Sequence, residues 1–284
     1  MNLEPFREPV GMSDPASQAA LFEALPAEVA ALASVIQGLM IHEHIAPSYG
    51  VVLAADRREE VHIRPIEARL KHMAARDARP LDVARVPGER QVGNCRHFSL
   101  LHVAMLRSKG VPARARCGFG AYFEKGKFID HWVTEYWNAA EQRWILFDAQ
   151  LDAHQRKLFE ISFDPQDVPR DQFVVAGDAW RSCREGKADP EAFGILDMHG
   201  LWFIAGNLIR DVAALNNREM LPWDVWGAMT EDDAKLDLAL FDRLAALTRT
   251  PDAHLEELRE LCDDARITVP STVFNAVLNR PQQV

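Results

Sequence analysis

The segment from Gly93 to Pro112 constrains the fold most, because it predicts one short helix that is apolar on most of its sides. Asn94 is a favourable N-cap residue, Gly110 suits the position just after a helix, and Pro112 prevents its continuation. A helix with so little polar surface has to be buried. Its apolar side chains form one broad face: Phe98, Leu100, Leu101, Ala104, Met105 and Leu106.

Cys95 falls in the first turn of this predicted helix. Unpaired N–H groups and the helix dipole at such a position stabilise a thiolate, and the same N–H groups can bind an oxyanion. The ordinary alternative is a small buried apolar residue, which most free cysteines are. Cys117, Cys183 and Cys262 lack such a setting, so we expect them to be structural.

The residues after the helix predict three strands separated by turns. A first strand extends from Ala113 to Phe123, and a second one, rich in β-branched and aromatic residues, extends from His131 to Trp137. A third, short strand extends from Trp144 to Asp148. Because only a short turn separates the second and third strands, we expect them to pair as a hairpin.

His131 and Asp148 fall on the same face of this hairpin in either of two plausible registers. If Trp137 lies opposite Trp144, His131 is diagonal to Asp148. If Glu135 lies opposite Trp144, His131 faces Asp148 directly. Cβ atoms are roughly 4.5–5.5 Å apart in a facing pair and about 7–8 Å apart in a diagonal one. Either spacing lets an aspartate hold an imidazole nitrogen, although a core histidine beside a strand-end aspartate is the ordinary alternative.

Together, Cys95, His131 and Asp148 supply the three parts of a catalytic triad. Cys95 would attack a carbonyl carbon. His131 would take the thiol proton and later pass it to a leaving group. Asp148 would fix the tautomer of the imidazole and stabilise the imidazolium.

The chain resembles the transglutaminase-like superfamily in three strings: G-N-C-R-H-F-S-L-L-H-V-A-M-L-R-S-K-G-V-P-A-R-A, D-H-W-V-T-E-Y and R-W-I-L-F-D-A. In that family a cysteine opens a helix, and a Gly-(Ile or Val)-Pro-Ala-Arg turn leads into a sheet. One strand then starts with histidine and an aromatic residue, and the next ends in aspartate. The resemblance covers about residues 88–152 and implies a papain-like core in which Cys95, His131 and Asp148 are catalytic.

Two positions depart from the pattern of the family. Bacterial relatives often carry an acidic residue where His97 stands, and Asp-Pro-Thr where Asp148-Ala149-Gln150 stands. Neither departure removes a member of the triad, but both can reshape the pocket. Gln91 or Asn94 is a candidate oxyanion donor, although loop packing and N-capping are their more ordinary roles.

Other features have ordinary interpretations. The His42-Glu43-His44 run looks like a metal pair, but adjacent helical positions diverge, so a solvated helix end is the expectation. Arg114 and Arg116 alternate on a strand and can bind a substrate carboxylate, although an ion pair with Glu135 or a neighbouring acid is the safer expectation. Thr230 resembles an N-cap, followed by acidic residues in the first turn.

The predicted fold class is α+β, with a papain-like, transglutaminase-like core in which the catalytic helix packs on an antiparallel sheet. Three consecutive regions are expected. Residues 1–86 form a helical N-terminal flank, and residues 87–158 form the catalytic core. Residues 159–284 are loop-rich and then helical, and pack on the core.

The composition of the chain limits the classes of partner and the compartment that we expect. Lys and Arg number 32 and Asp and Glu 42, so the formal net charge of −10 disfavours nucleic acid. The acidic, proline-broken start and the absence of a long apolar run predict no signal peptide and no membrane span, hence a cytoplasmic protein with free thiols. No cofactor or metal is expected, although a zinc site formed by Cys95, His97 and Cys117 is an alternative.

The predicted function is acyl chemistry on a peptide, protein or small amide substrate through a Cys95 thioester. Hydrolysis, as in a peptidase or amidase, is favoured because water is always available. An amine acceptor would instead make the enzyme a transglutaminase or an amide-forming acyltransferase. A non-catalytic scaffold of the same fold is a further alternative. The sequence leaves the acyl substrate and the oligomeric state open.

Overall fold

The computed structural model describes residues 2–284 and has the α+β composition that the sequence predicts. The α-helices are α1 Val29–Leu39, α2 Ala55–Arg58, α3 Ile66–Arg76, α4 Cys95–Ser108, α5 Ala153–Leu158, α6 Ala176–Arg184, α7 Leu201–Leu215, α8 Leu238–Arg249 and α9 Leu255–Glu260. Short 3₁₀ turns occupy Glu4–Phe6, Gly11–Ser13, Ala16–Phe22, Ala46–Tyr49, Glu59–His62, Pro87–Glu89, Pro190–Ala192, Asp233–Lys235, Pro251–Ala253 and Leu261–Asp263.

The strands are mostly short, and the two longest lie at the centre of the largest sheet. That sheet has the order β6-β3-β4-β7-β8, with β5 also paired to β4. The strands are β1 Met40–His42, β2 Gln91–Gly93, β3 Ala113–Gly120, β4 Phe128–Asn138, β5 Arg143–Phe147, β6 Phe173–Val175, β7 Phe193–Ile195, β8 Met198–His199, β9 Asp224–Val225, β10 Thr272–Asn275 and β11 Arg280–Gln283.

The chain divides into two compact units, each built from separate stretches of sequence. The first, here called the Cys95 unit, comprises Leu3–Ala115 and Val133–Val168. The second, the His131 unit, is formed mainly by Arg116–Trp132 and Pro169–Val284. The three consecutive regions expected from the sequence stay a prediction.

The helix α4 is the central element of the Cys95 unit. Every residue from Cys95 to Arg107 is buried, as its apolar sequence predicts. Helices α1 and α3 pack against it. The strand β2 ends immediately before its N-cap residue, Asn94, and pairs in parallel with β1. His42 is therefore the last, buried residue of a strand, and the expected solvated helix end at His42-Glu43-His44 is wrong.

The β4–β5 hairpin has the first of the two predicted registers, with Trp137 opposite Trp144. The last pair of this ladder is Thr134 with Phe147. On the other side of β5, the backbone of the following loop continues the hydrogen bonding. The Asp148 N–H donates to the Pro165 carbonyl at 2.8 Å, and the Val168 N–H donates to the Leu146 carbonyl at 2.7 Å.

In the His131 unit, β3 pairs antiparallel with β6 and β7 antiparallel with β8, whereas β7 runs parallel to β4. The sheet is therefore mainly antiparallel, as expected, with one parallel pairing between β4 and β7. A parallel neighbour needs a long crossover, and the stretch between β4 and β7 is long enough to provide one. Helices α6, α7 and α8 pack on one another in this unit.

The helix expected to start at Thr230 starts instead at Leu238, with the side chain of Asp237 as its cap. Asp232 caps only the short 3₁₀ turn before it. The C-terminal part also contains a small antiparallel sheet, β11-β10-β9, which the helical expectation did not include. Among residues 2–284, no helix combines the length and the apolar character needed to cross a membrane.

Candidate active site

Cys95 is the first residue of α4 and is 6% exposed. The preceding residue, Asn94, is extended and serves as the N-cap, and its carbonyl accepts the His97 N–H at 2.9 Å. The predicted placement of the cysteine at a helix start is therefore confirmed. The first turn of a helix is the positive end of its dipole, because its N–H groups have no partners within the helix.

A buried carboxylate holds the strand that leads into Cys95. Oε2 of Glu60 accepts the Val92 N–H at 2.6 Å, and Oε1 pairs with Nε of Arg57 at 2.6 Å. The guanidinium of Arg69 donates to the carbonyls of Glu60 and Val92, each at 3.0 Å. These bonds fix the backbone of β2, and with it the place where α4 begins.

The cap of α4 is completed by His97. Its Nδ1 accepts the Asn94 backbone N–H at 3.1 Å, and Oδ1 of Asn94 lies 2.8 Å from the same nitrogen. The side-chain amide of Gln91 donates to the Arg69 carbonyl at 3.3 Å. One of the two predicted oxyanion donors therefore already has a hydrogen-bond acceptor. The sequence position of His97, three residues after the N-cap, is that of the second residue of a capping box. The usual residue there is Glu or Gln, so the pattern is easy to overlook.

His131 lies on β4 and is 2% exposed. Three aromatic rings of the His131 unit surround its imidazole. The ring centroids of Phe123, Tyr122 and Phe173 lie 4.8, 5.8 and 6.2 Å away, each close to edge-on. This packing restricts the rotation of the imidazole and keeps bulk water from its faces.

Asp130, next to His131, belongs to a buried polar network that the sequence reasoning missed. Asn207 donates to Oδ1 of Asp130 at 2.8 Å, and Arg210 donates to Oδ1 of Asn207 at 3.1 Å. Burial raises the pKa of the Asp130 carboxyl, while the nearby Arg210 opposes that shift. The partners come from a distant helix, so no local pattern indicates them.

Asp148 directly follows β5 and is 1% exposed. Its Oδ1 accepts the Gln150 N–H at 3.0 Å. The side chain of Gln150 starts a chain of hydrogen bonds, donating to Gln155 at 3.0 Å, which in turn donates to the Tyr49 hydroxyl at 3.2 Å. Tyr49 donates to Asp152 at 2.8 Å, and burial followed by this bond raises the pKa of its hydroxyl. The Gln150 position, where the family often has threonine, thus anchors the turn after Asp148.

The structure places each predicted site residue on the element that the sequence indicates. Cys95 opens a helix, His131 lies on a strand, and Asp148 directly follows the next strand. Cys95 and Asp148 belong to one compact unit and His131 to the other, so the approach of the three side chains to one another stays a prediction. In residues 2–284, no three His, Cys, Asp or Glu side chains are grouped to hold a metal ion.

Comparisons with known proteins agree with the class of domain that the motifs indicate. Residues 55–149 match the family model of the transglutaminase-like superfamily. Residues 55–149 therefore form a transglutaminase-like segment, and Cys95, His131 and Asp148 lie within it. No curated protein sequence matches the chain.

One solved structure is similar to part of the chain: "The Crystal Structure of a Putative Cysteine Protease from Cytophaga hutchinsonii". The two sequences are 17% identical, the TM-score is 0.35, and the likeness covers 62% of this chain and 48% of that one. The chain thus spans about half the length of that protein. A likeness this low adds nothing to the assignment made from the family model.

Proposed function

We propose that the protein is a thiol enzyme that transfers or hydrolyses acyl groups of amide or peptide substrates, with Cys95 as the nucleophile. The observation that carries the proposal is Cys95 itself: it is the first residue of a buried helix within the segment that matches the transglutaminase-like superfamily. Cysteine at a helix start is the setting in which a thiolate forms most readily.

His131 is the proposed general base and Asp148 the residue that orients it. The hairpin register supports this pairing. His131 lies an even number of residues from Glu135 and Trp137 on β4. Asp148 lies an even number of residues from Leu146 and Trp144, their partners on β5. Residues at paired positions of one parity lie on one face of a sheet. The burial of both side chains also suits a base whose orientation must be fixed.

The proposed reaction has two halves. In the first, the Cys95 sulfur forms a bond to the carbonyl carbon, and His131 takes the thiol proton and passes it to the amine as the C–N bond breaks. In the second, His131 takes a proton from water, whose oxygen attacks the thioester, and Cys95 leaves as a thiol. The N–H groups at the start of α4 stabilise the oxyanion in both halves.

Hydrolysis is the favoured outcome because water needs no binding site. An amine acceptor in the second half would give amide transfer instead. A scaffold that has lost its chemistry is the third candidate, and the presence of all three triad residues disfavours it. None of the four cysteines, all within residues 2–284, forms a disulfide, which supports the further proposal of a cytoplasmic protein.

The test is activity profiling with thiol-reactive peptide and amide probes, comparing the wild type with Cys95→Ala. The matched controls are Cys183→Ser and Cys262→Ser, because burial raises the pKa of Cys183 to about 11 and also raises that of Cys262. We expect labelling to disappear only in Cys95→Ala. Equal labelling of Cys95→Ala and the wild type would contradict the proposal.

A second measurement separates hydrolysis from transfer. An amide substrate is turned over in the presence of increasing concentrations of a primary amine, and the products are identified by mass spectrometry. If hydrolysis dominates, the free acid stays the main product. If the new amide replaces the acid at low amine concentration, the enzyme is an acyltransferase.

A further inference from the structure

His97 stands two residues after Cys95, at the third position of α4, and is fully buried. A side chain at this position completes a capping box when it accepts the N–H of the N-cap residue. Nδ1 of His97 does so, accepting the Asn94 N–H at 3.1 Å. An acceptor Nδ1 carries no proton, so the neutral ring holds its proton on Nε2.

A second contact joins the side chains of Asn94 and His97. Oδ1 of Asn94 lies 2.8 Å from Nδ1 of His97, and Nδ2 of Asn94 is buried without a hydrogen-bond partner. Two acceptors cannot bond to each other, so this contact fits the neutral ring when the amide is turned by 180° and Nδ2 donates to Nδ1.

Burial and two neighbouring arginines disfavour a charge on the ring. Burial, Arg69 and Arg96 lower the pKa of His97 well below its usual value. Arg69 lies close to the helix start. A Cβ atom built on Gly93 would be 3.2 Å from Nη2 of Arg69 and 3.1 Å from Cβ of His97. Burial, followed by Arg96, lowers the pKa of Arg69 to about 9, so it still carries its charge at neutral pH.

Two acids lie near this region. Burial raises the pKa of Glu43, while the charges of His44 and Arg58 oppose the shift. Glu60 forms an ion pair with Arg57, and His72 and Arg76 lie within 3.4 Å of the same oxygen. His42 is the remaining titratable group that acts on His97, and its charge, when present, is positive.

We propose that His97 is a positioning residue for Cys95: an uncharged acceptor that completes the cap of α4 and adds no negative charge to the electropositive start of that helix. A carboxylate in its place would keep the capping hydrogen bond but would offset the charges of Arg69 and Arg96. The thiolate of Cys95 would then be less stable. This inference rests on the proposed role of Cys95 as the nucleophile.

Three substitutions separate the hydrogen bond from the charge. His97→Gln keeps an uncharged acceptor, so the pH midpoint of Cys95 alkylation should stay at its wild-type value. His97→Glu keeps an acceptor but adds a negative charge, which should raise the midpoint by about one pH unit. His97→Ala loses the acceptor without adding charge, so it should lower the melting temperature and leave the midpoint nearly unchanged.

The experiment measures the rate of iodoacetamide alkylation of Cys95 between pH 4 and pH 10 in a Cys183→Ser/Cys262→Ser background. Mass spectrometry identifies the alkylated peptide, and circular dichroism shows that each variant is folded. Since a higher midpoint reduces the thiolate fraction, His97→Glu should react roughly ten times more slowly than His97→Gln at a pH well below both midpoints. Equal midpoints for these two folded variants would overturn the inference.

The failure of this inference differs from that of the proposed function. A wild-type midpoint close to that of an ordinary thiol, near 8.5, contradicts the activated nucleophile itself. A low wild-type midpoint that His97→Glu does not change contradicts only the role of His97. If His97→Glu does not fold, the comparison of His97→Gln with His97→Ala still tests the cap, since equal melting temperatures would exclude it.

Discussion

Arg114 and Glu135 form a buried ion pair between β3 and β4, with Nε of the arginine 2.7 Å from Oε2 of the glutamate. Both side chains are almost fully buried, and the guanidinium also lies 3.9 Å above the ring of Trp144. The expected ion pair of Arg114 is thus confirmed. Arg116 makes its own pair with Asp211, at 2.9 Å, so neither arginine needs a substrate carboxylate as its partner.

Removing one member of this pair should destabilise the protein strongly. Glu135→Leu leaves the guanidinium of Arg114 buried without its counter-charge, and such a change costs about 3–5 kcal/mol of unfolding free energy. The double variant Arg114→Met/Glu135→Leu should recover much of this loss. Urea unfolding measures both. A single variant within 1 kcal/mol of the wild type would mean that water reaches the pair.

Glu60→Gln should loosen the strand in front of Cys95. The substitution removes the charge that Arg57 pairs with and replaces one acceptor oxygen by a donor, so we expect a loss of about 3 kcal/mol. The amide of Val92, which donates to Glu60 at 2.6 Å, should exchange faster with deuterium. The exposed neighbour Glu59→Gln is the matched control, and an equal effect of both changes would contradict this role.

Stability should fall as the pH is lowered from 7.5 to 5. Burial lowers the pKa of His102 to about 4, while the backbone carbonyl of Val29 opposes the shift. In the unfolded chain the pKa of this histidine is near 6.5. Below that pH the unfolded chain binds the proton before the folded protein does, so the stability that is fully present above pH 6.5 is lost as the pH falls. For this one residue, the loss at pH 5 is about 2 kcal/mol.

The His102→Gln variant tests this pH dependence. Between pH 7.5 and pH 5 its unfolding free energy should change less than that of the wild type, although His97 contributes a loss of the same sign. Identical slopes for His102→Gln and the wild type would show that His102 does not stay neutral.

Asp148→Asn should reduce activity without unfolding the protein. The asparagine can still accept the Gln150 N–H through its oxygen, but it no longer stabilises an imidazolium, so kcat/KM should fall by at least about 100-fold. Asp164→Asn is the control, since exposed Asp164 accepts the Gln166 N–H at 2.9 Å in the same type of turn. Comparable activity in the two variants would remove Asp148 from the mechanism.

The sequence predicts elements well where the signals are local. The cap, the apolar face and the Gly-Val-Pro stop define α4, and the alternation around Trp137 and Trp144 leaves two registers, of which the structure has the first. The parallel pairings of β1 with β2 and of β4 with β7 join segments that are far apart in the chain. No periodicity or turn residue indicates which distant strand becomes a neighbour, so these pairings escape sequence reasoning.

The start of α8 shows a different limit. Several residues between Thr230 and Asp237 can cap a helix, and the acidic stretch offers no way to rank them. Asp237 is selected because the buried apolar residues begin directly after it, with Leu240 and Phe241. The sequence does not indicate the cap made by His97 for a similar reason, because histidine is not the usual partner in a capping box.

The outer edge of β5 has a practical consequence for anyone who would isolate the catalytic segment. The backbone around Pro165 and Val168 covers that edge, and it lies beyond residue 158, where the sequence suggested the core would end. A polypeptide cut at that residue would leave the N–H of Asp148 and the carbonyl of Leu146 without these partners. Uncovered strand edges recruit other chains, so the shortened protein should aggregate.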